Sequence, residues 1–122
     1  MKYMMLTYLD ENAWAALGED GQRRVMAECG PHLQKLLKEG KFLAGAPLFP
    51  TSTATTLRLQ GARRTVTDGP FAETREQLGG YGLIEAADLD DAIAVAGGFL
   101  NPSFPTSIEI RPVVDLPDAP SH

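Results

Sequence analysis

The spacing of apolar positions changes several times along the chain, and each change marks an element. Residues 2–9 are rich in aromatic and aliphatic side chains and end at Asp10-Glu11-Asn12, which predicts a buried first strand. A helical region follows. Over residues 20–39, Val25, Met26, Cys29, Leu33, Leu36 and Leu37 recur at helical spacing, which gathers them on one face. Gly40 ends this helix as its C-terminal cap. Gly30-Pro31 lies inside it, and a proline there permits either a kink or two separate helices. Residues 41–47 read as a second strand, and residues 53–59 with 64–68 as a hairpin around Gly61, supported by the alternation Thr55, Leu57, Leu59. Residues 81–86 form another apolar strand. Asp88 then N-caps a helix whose predicted face is Leu89, Ala92, Ile93, Ala96 and Phe99. Gly97-Gly98 weakens its end, Asn101-Pro102 stops it, and residues 106–114 make the last strand. Residues 115–122, with two prolines and no apolar pattern, read as a frayed tail.

This order is an elaborated βαββαβ pattern in one domain over residues 1–114. It predicts an α+β fold, a ferredoxin-like sandwich with helices on one face of an antiparallel sheet. A chain of 122 residues has little left to cover the second face. Exposed apolar sheet calls for a partner, so a homodimer packed sheet to sheet is the expected assembly.

Composition narrows the partners. The formal net charge of -5 repels polyanions, so nucleic acid is not an expected ligand. Arg58, Arg63 and Arg64 flank Gln60-Gly61-Ala62 and fit the solvated rim of a hairpin. Cys29 is the only cysteine, so neither an internal disulfide nor a cysteine-based zinc site is expected. The apolar start ends too early at Asp10 and Glu11 for a signal peptide, and no apolar stretch approaches the roughly 20 residues that span a bilayer. A cytoplasmic protein without membrane partners is the expectation.

The most chemical segment runs from Thr67 to Tyr81. Asp68-Gly69-Pro70 is turn chemistry: a carboxylate that can accept backbone N–H groups, a residue free to adopt positive φ, and one that fixes φ. The turn then continues through Phe71, Glu73, Arg75, Glu76 and Gln77 to Gly79-Gly80 and Tyr81, more polar functionality than a connection needs. Asp68 can act as a general base if a cleft desolvates it, or lock the loop by accepting amide bonds. Glu73, Arg75 and Glu76, on a short helical turn, can form an acid pair or a local ion pair and line a ligand site. Tyr81 offers a ring and a hydroxyl beside them. No phosphate-binding glycine pattern is present, and no cofactor or metal is expected.

The runs Tyr3-Met4-Met5-Leu6, Leu43-Ala44-Gly45, Val66 to Thr74 and Glu76-Gln77-Leu78-Gly79-Gly80 together resemble the YCII-related family, in its DGPF-motif branch. The resemblance extends through Ile110-Arg111-Pro112. It implies a ferredoxin-like fold, a dimeric α+β barrel arrangement and a cleft between sheet, helix and motif loop. Small antibiotic-monooxygenase-like proteins share this element order but lack the motif. In the YciI-like branch, which includes a dehydrochlorinase, a histidine on the first helix and an aspartate in an Asp-Pro pair form an acid/base dyad. By position these fall near Cys29 and on Asn101-Pro102, and an amide does not take a proton as a carboxylate does. His32, three residues beyond Cys29, is the available substitute. Two functions are expected on this basis. One is a cofactor-free enzyme of proton abstraction, isomerisation or elimination, with Asp68 and His32 catalytic and Tyr81, Glu73, Arg75 and Glu76 binding a small molecule. The other is a noncatalytic ligand-binding or regulatory dimer.

Overall fold

The computed structural model describes residues 1–116. The expected tail, residues 115–122, falls mostly outside them. Strand β1 (Lys2–Leu9) leads into helices α1 (Glu11–Ala16) and α2 (Gly18–Lys38), then β2 (Phe42–Pro47). A 3-10 turn (Thr51–Thr53) precedes the hairpin β3 (Thr55–Gln60) and β4 (Arg63–Asp68), followed by β5 (Gln77–Glu85), α3 (Leu89–Gly97) and β6 (Ser107–Pro112). The main sheet is antiparallel in the order β2-β5-β1-β6, with β3-β4 as a separate two-stranded ribbon. Without that ribbon, the strand order is that of a ferredoxin-like α+β fold.

Local chemistry sets the helix boundaries. The Asp10 carboxylate accepts the amides of Asn12 and Ala13 and so caps α1. Gly18, at φ 70°, divides α1 from α2. The break therefore comes before the long helix, and α2 runs on through Pro31 without dividing. At its end Gly40 takes φ 71°, its amide meets the Leu37 carbonyl, and the Lys41 amide returns 2.8 Å to the Leu36 carbonyl. This is the paired bonding of a Schellman cap.

The core sits at one end of the sheet, where Tyr3, Ile84 and Ala86 meet Leu36 of α2 and Ala92 and Val95 of α3, flanked by Phe42, Phe99 and Ile110. Helix α3, capped by Asp88 on the Asp91 amide, differs from the predicted face: Ala92, Val95 and Ala96 are buried, whereas Leu89 and Ile93 are each 52% exposed. Small side chains let the helix axis approach the sheet, which rotates its larger residues outward. On β1 the pairs Tyr3–Ile84 and Met5–Gly82 face the helices, and Met4–Leu83 and Leu6–Tyr81 face away. Among the described residues no helix packs on that second face.

Strand β5 begins at Gln77, before the predicted residue 81, so the glycine pair lies within the strand. The register shifts there, between Thr7 and Tyr8 of the partner, leaving Gly79 unpaired. The last strand is shorter than predicted. Replacing Gly40 with alanine forces a side chain into positive φ, and is expected to lower stability by about 1 kcal/mol in urea unfolding.

Candidate ligand cavity

Of the apolar stripe on α2, only Leu36 is buried. Val25, Met26, Cys29 and Leu33 instead line a cavity of about 1200 Å³ beneath the helix, faced by Met5, Thr7 and Leu9 of β1. Trp14 of α1 closes one side, held edge-on to Phe104 at 5.2 Å. The glycines Gly45, Gly79 and Gly80 form part of the opposite wall. A Cβ on Gly45 would lie 2.5 Å from the Tyr81 carbonyl oxygen and 2.6 Å from Phe42, so β2 and β5 pair there only because no side chain intervenes.

One end is polar. The Glu11 carboxylate accepts the Thr51 amide at 2.8 Å and the Thr51 hydroxyl at 2.7 Å, tying the 3-10 turn to the start of α1. Gln77 accepts the Glu11 amide at 2.9 Å and donates to the Thr74 carbonyl. Glu11, Asn12, Thr51, Glu73, Thr74 and Gln77 all border the cavity. Among the described residues no cluster of His, Cys, Asp and Glu could hold a metal, and no helix is long and apolar enough to cross a membrane.

The predicted site residues are dispersed. His32 lies outside the cavity lining, between α2 and α3: its Nε2 donates to the Val95 carbonyl at 2.7 Å and its ring stands edge-on to Phe99 at 4.7 Å. A Cβ on Gly98 would run into this imidazole, so that glycine makes the room it occupies. Asp68 is exposed at the end of β4, outside the lining, and the loop after it is held by other groups. The Gly69 amide bonds Ala54, Thr56 donates to the Gly69 carbonyl, and Arg58 donates to the Phe71 carbonyl. Asp68 and His32 are thus not brought together at this cavity. Glu73 borders it, whereas Arg75 and Glu76 do not, and Glu76 accepts the Ser107 hydroxyl at 3.2 Å. The segment between Gly69 and Glu76 is not helical, and Arg75 makes no ion pair among the described residues. Tyr81 borders the cavity at the β2–β5 pairing, while the register sets its ring on the Leu6 side of the sheet.

Residues 1–116 match the YCII-related domain. The chain belongs to the YCII-related family. An uncharacterised protein of Rhizobium meliloti (strain 1021) is 40% identical to it over 114 residues, which cover 93% of this chain and 92% of that protein. In this YCII-related chain, Cys29 and Asn101, the positions carried over for the dyad, do lie together at the cavity. Asn101 donates to the Val25 carbonyl and accepts the Ser103 amide, a structural use of both ends of its amide.

Glu11, Thr51 and Trp14 were not singled out by sequence reasoning as site residues, and Gln77 was named only within the motif. Glu11 served there to end the first strand and the apolar start. The available signal was an acid beside a helix cap, shortly before the chain's only tryptophan.

Burial, and secondarily the Glu28 carboxylate, pushes the Cys29 thiol upward from its ordinary range. The folded thiol therefore keeps its proton to higher pH than the unfolded one. The stability it contributes is complete below about pH 8.5 and is lost as pH rises from there through the folded value. Alkylation by iodoacetamide at pH 8 is expected to be several-fold slower in the native protein than in urea. A second expectation concerns Gly98→Ala, which should cost about 1–3 kcal/mol by displacing His32 from its carbonyl partner. Combined with His32→Ala the cost should fall short of the sum of the single losses, as read from denaturation in a double-mutant cycle.

Proposed function

We propose that this protein binds an apolar small molecule in the cavity between α2 and the sheet, and that it works as a dimer. The observation that carries the reading is the unfilled space under α2, where an apolar helix stripe and the inner face of β1 line about 1200 Å³ without meeting. Ligand sites are commonly clefts of roughly 300–1000 Å³ with mostly apolar walls and a few convergent polar groups. The Glu11, Thr51 and Gln77 network supplies such groups at one end. Proton-transfer chemistry by Asp68 and His32 has no comparable support, because neither residue borders the space. Within the family we assign the chain to the branch marked by Asp68-Gly69-Pro70-Phe71, whose loop brings Pro70, Ala72, Glu73 and Thr74 to the cavity edge.

Dimerisation is supported by the sheet face turned away from the helices, where Met4 and Leu6 are partly exposed, and by the ribbon, where Leu57, Leu59 and Val66 are 63–69% exposed. An isolated two-stranded hairpin is only marginally stable. Residues 55–68 hold three arginines against one aspartate, a charge of +2 in a chain of -5, so the remainder carries -7. A second copy thus offers both apolar surface and the opposite charge.

Because Trp14 is the only tryptophan and borders the cavity, its emission reports on occupancy. Titration with the neutral apolar probe N-phenyl-1-naphthylamine is expected to quench Trp14 and raise Tm, and Val25→Phe, which places a bulkier ring in the cavity wall, should weaken binding at least tenfold. Unchanged Trp14 emission and Tm at saturating probe would overturn the binding reading. Sedimentation should give a dimer at micromolar concentration, which Leu57→Glu with Val66→Glu dissociates without loss of helical circular dichroism.

A further inference from the structure

Charge around the cavity is one-sided. Among the described residues no lysine, arginine or histidine borders it, whereas two acidic residues do, Glu11 and Glu73. Neither is in an ion pair among the described residues. Both donors on Glu11 come from Thr51 and are uncharged, so they position the carboxylate without neutralising it, and each oxygen keeps a lone pair free. The nearest cations along the motif loop are otherwise placed: Arg58 is committed to the Phe71 carbonyl, and Arg75 lies outside the lining.

An anionic ligand entering this space would lose hydration and find no cation to replace it, while meeting two negative charges at the rim of a chain whose net charge is -5. A protonated amine also loses hydration, but it meets two carboxylates that replace part of it and a surrounding charge of the favourable sign. We infer that the cavity selects a cationic amphiphile, an apolar body under α2 with a protonated amine at the Glu11–Glu73 end, and rejects carboxylates and phosphates of the same length. This inference rests on the cavity reading above and adds the sign of the ligand's charge.

Displacement of N-phenyl-1-naphthylamine by decylamine, decanol and decanoate, each below its micellar concentration at pH 7, separates the two. Decylamine is expected to displace the probe at about one-tenth the concentration of decanoate, with decanol between them. Glu73→Gln, a change at an exposed position, should shrink that ratio to about threefold, each ligand's affinity being referred to the probe's own affinity for the variant. Glu11→Gln should shrink it further but also loosens the Thr51 turn, so Glu73→Gln is the deciding variant. Val25→Phe should weaken the amine and the probe together, which excludes adsorption of a cation to an acidic surface. If the probe binds but decanoate competes as well as decylamine, or if the preference survives Glu73→Gln intact, the charge inference fails and the cavity reading stands. If the probe does not bind at all, both fail.

Discussion

Leu36, Tyr3 and Ile84 meet at one end of the sheet, and from that contact α2 projects over the rest of β1. Leu36 is 2% exposed and Ile84 fully buried, and the Schellman cap at Gly40 fixes the direction in which the chain leaves toward β2. His32, bonded to Val95, ties the same stretch of α2 to α3. Three attachments thus fall near the C-terminal end of a 21-residue helix. Its N-terminal part is held mainly through α1, where Gln22 donates to the Trp14 carbonyl at 3.0 Å and Glu11 anchors the 3-10 turn. A helix fixed at both ends over a sheet leaves its middle free to stand away, and that separation is the cavity.

Glycines serve this arrangement in opposite ways. Gly98 lets α3 come close enough for His32 to reach a carbonyl, which tightens the fixed end. Gly45 and Gly80 thin the wall between β2 and β5 and keep side chains out of the space below α2. The motif loop then meets the open end, so the polar motif and the cavity are neighbours although no regular element joins them. Apolar surface left without packing partners forfeits dispersion contacts, and filling such a space with a ligand stabilises the folded state by mass action.

Strand and helix order could be read from periodicity because burial on one face demands it, and the caps at Gly40 and Asp88 could be read because few residues do their work. The break at Gly18 could not, and at Pro31 a kink and a division both stayed open, because the local cost of a proline, about 3 kcal/mol, does not say whether the flanking turns hold the helix together. The face of α3 was misjudged for a related reason. Hydrophobicity favours Leu89 and Ile93, whereas close approach to the sheet favours Ala92 and Ala96. Of the residues that border the cavity, Glu73 and Tyr81 had stood out by their place in the motif, but Glu11 and Thr51 are 40 residues apart and become partners only in the fold.

By itself the sequence determined the family, the α+β element order, the capping of helices and the acidity of the molecule, because each depends on neighbours within a few positions or on a sum over the chain. Tertiary structure decided where the interior space lies, that His32 packs between helices, that Asp68 stays outside the cavity lining, and that uncharged donors hold the Glu11 carboxylate at its edge. These depend on how far two layers stand apart, a distance set by a few side chains remote in sequence and by the absence of side chains at glycine.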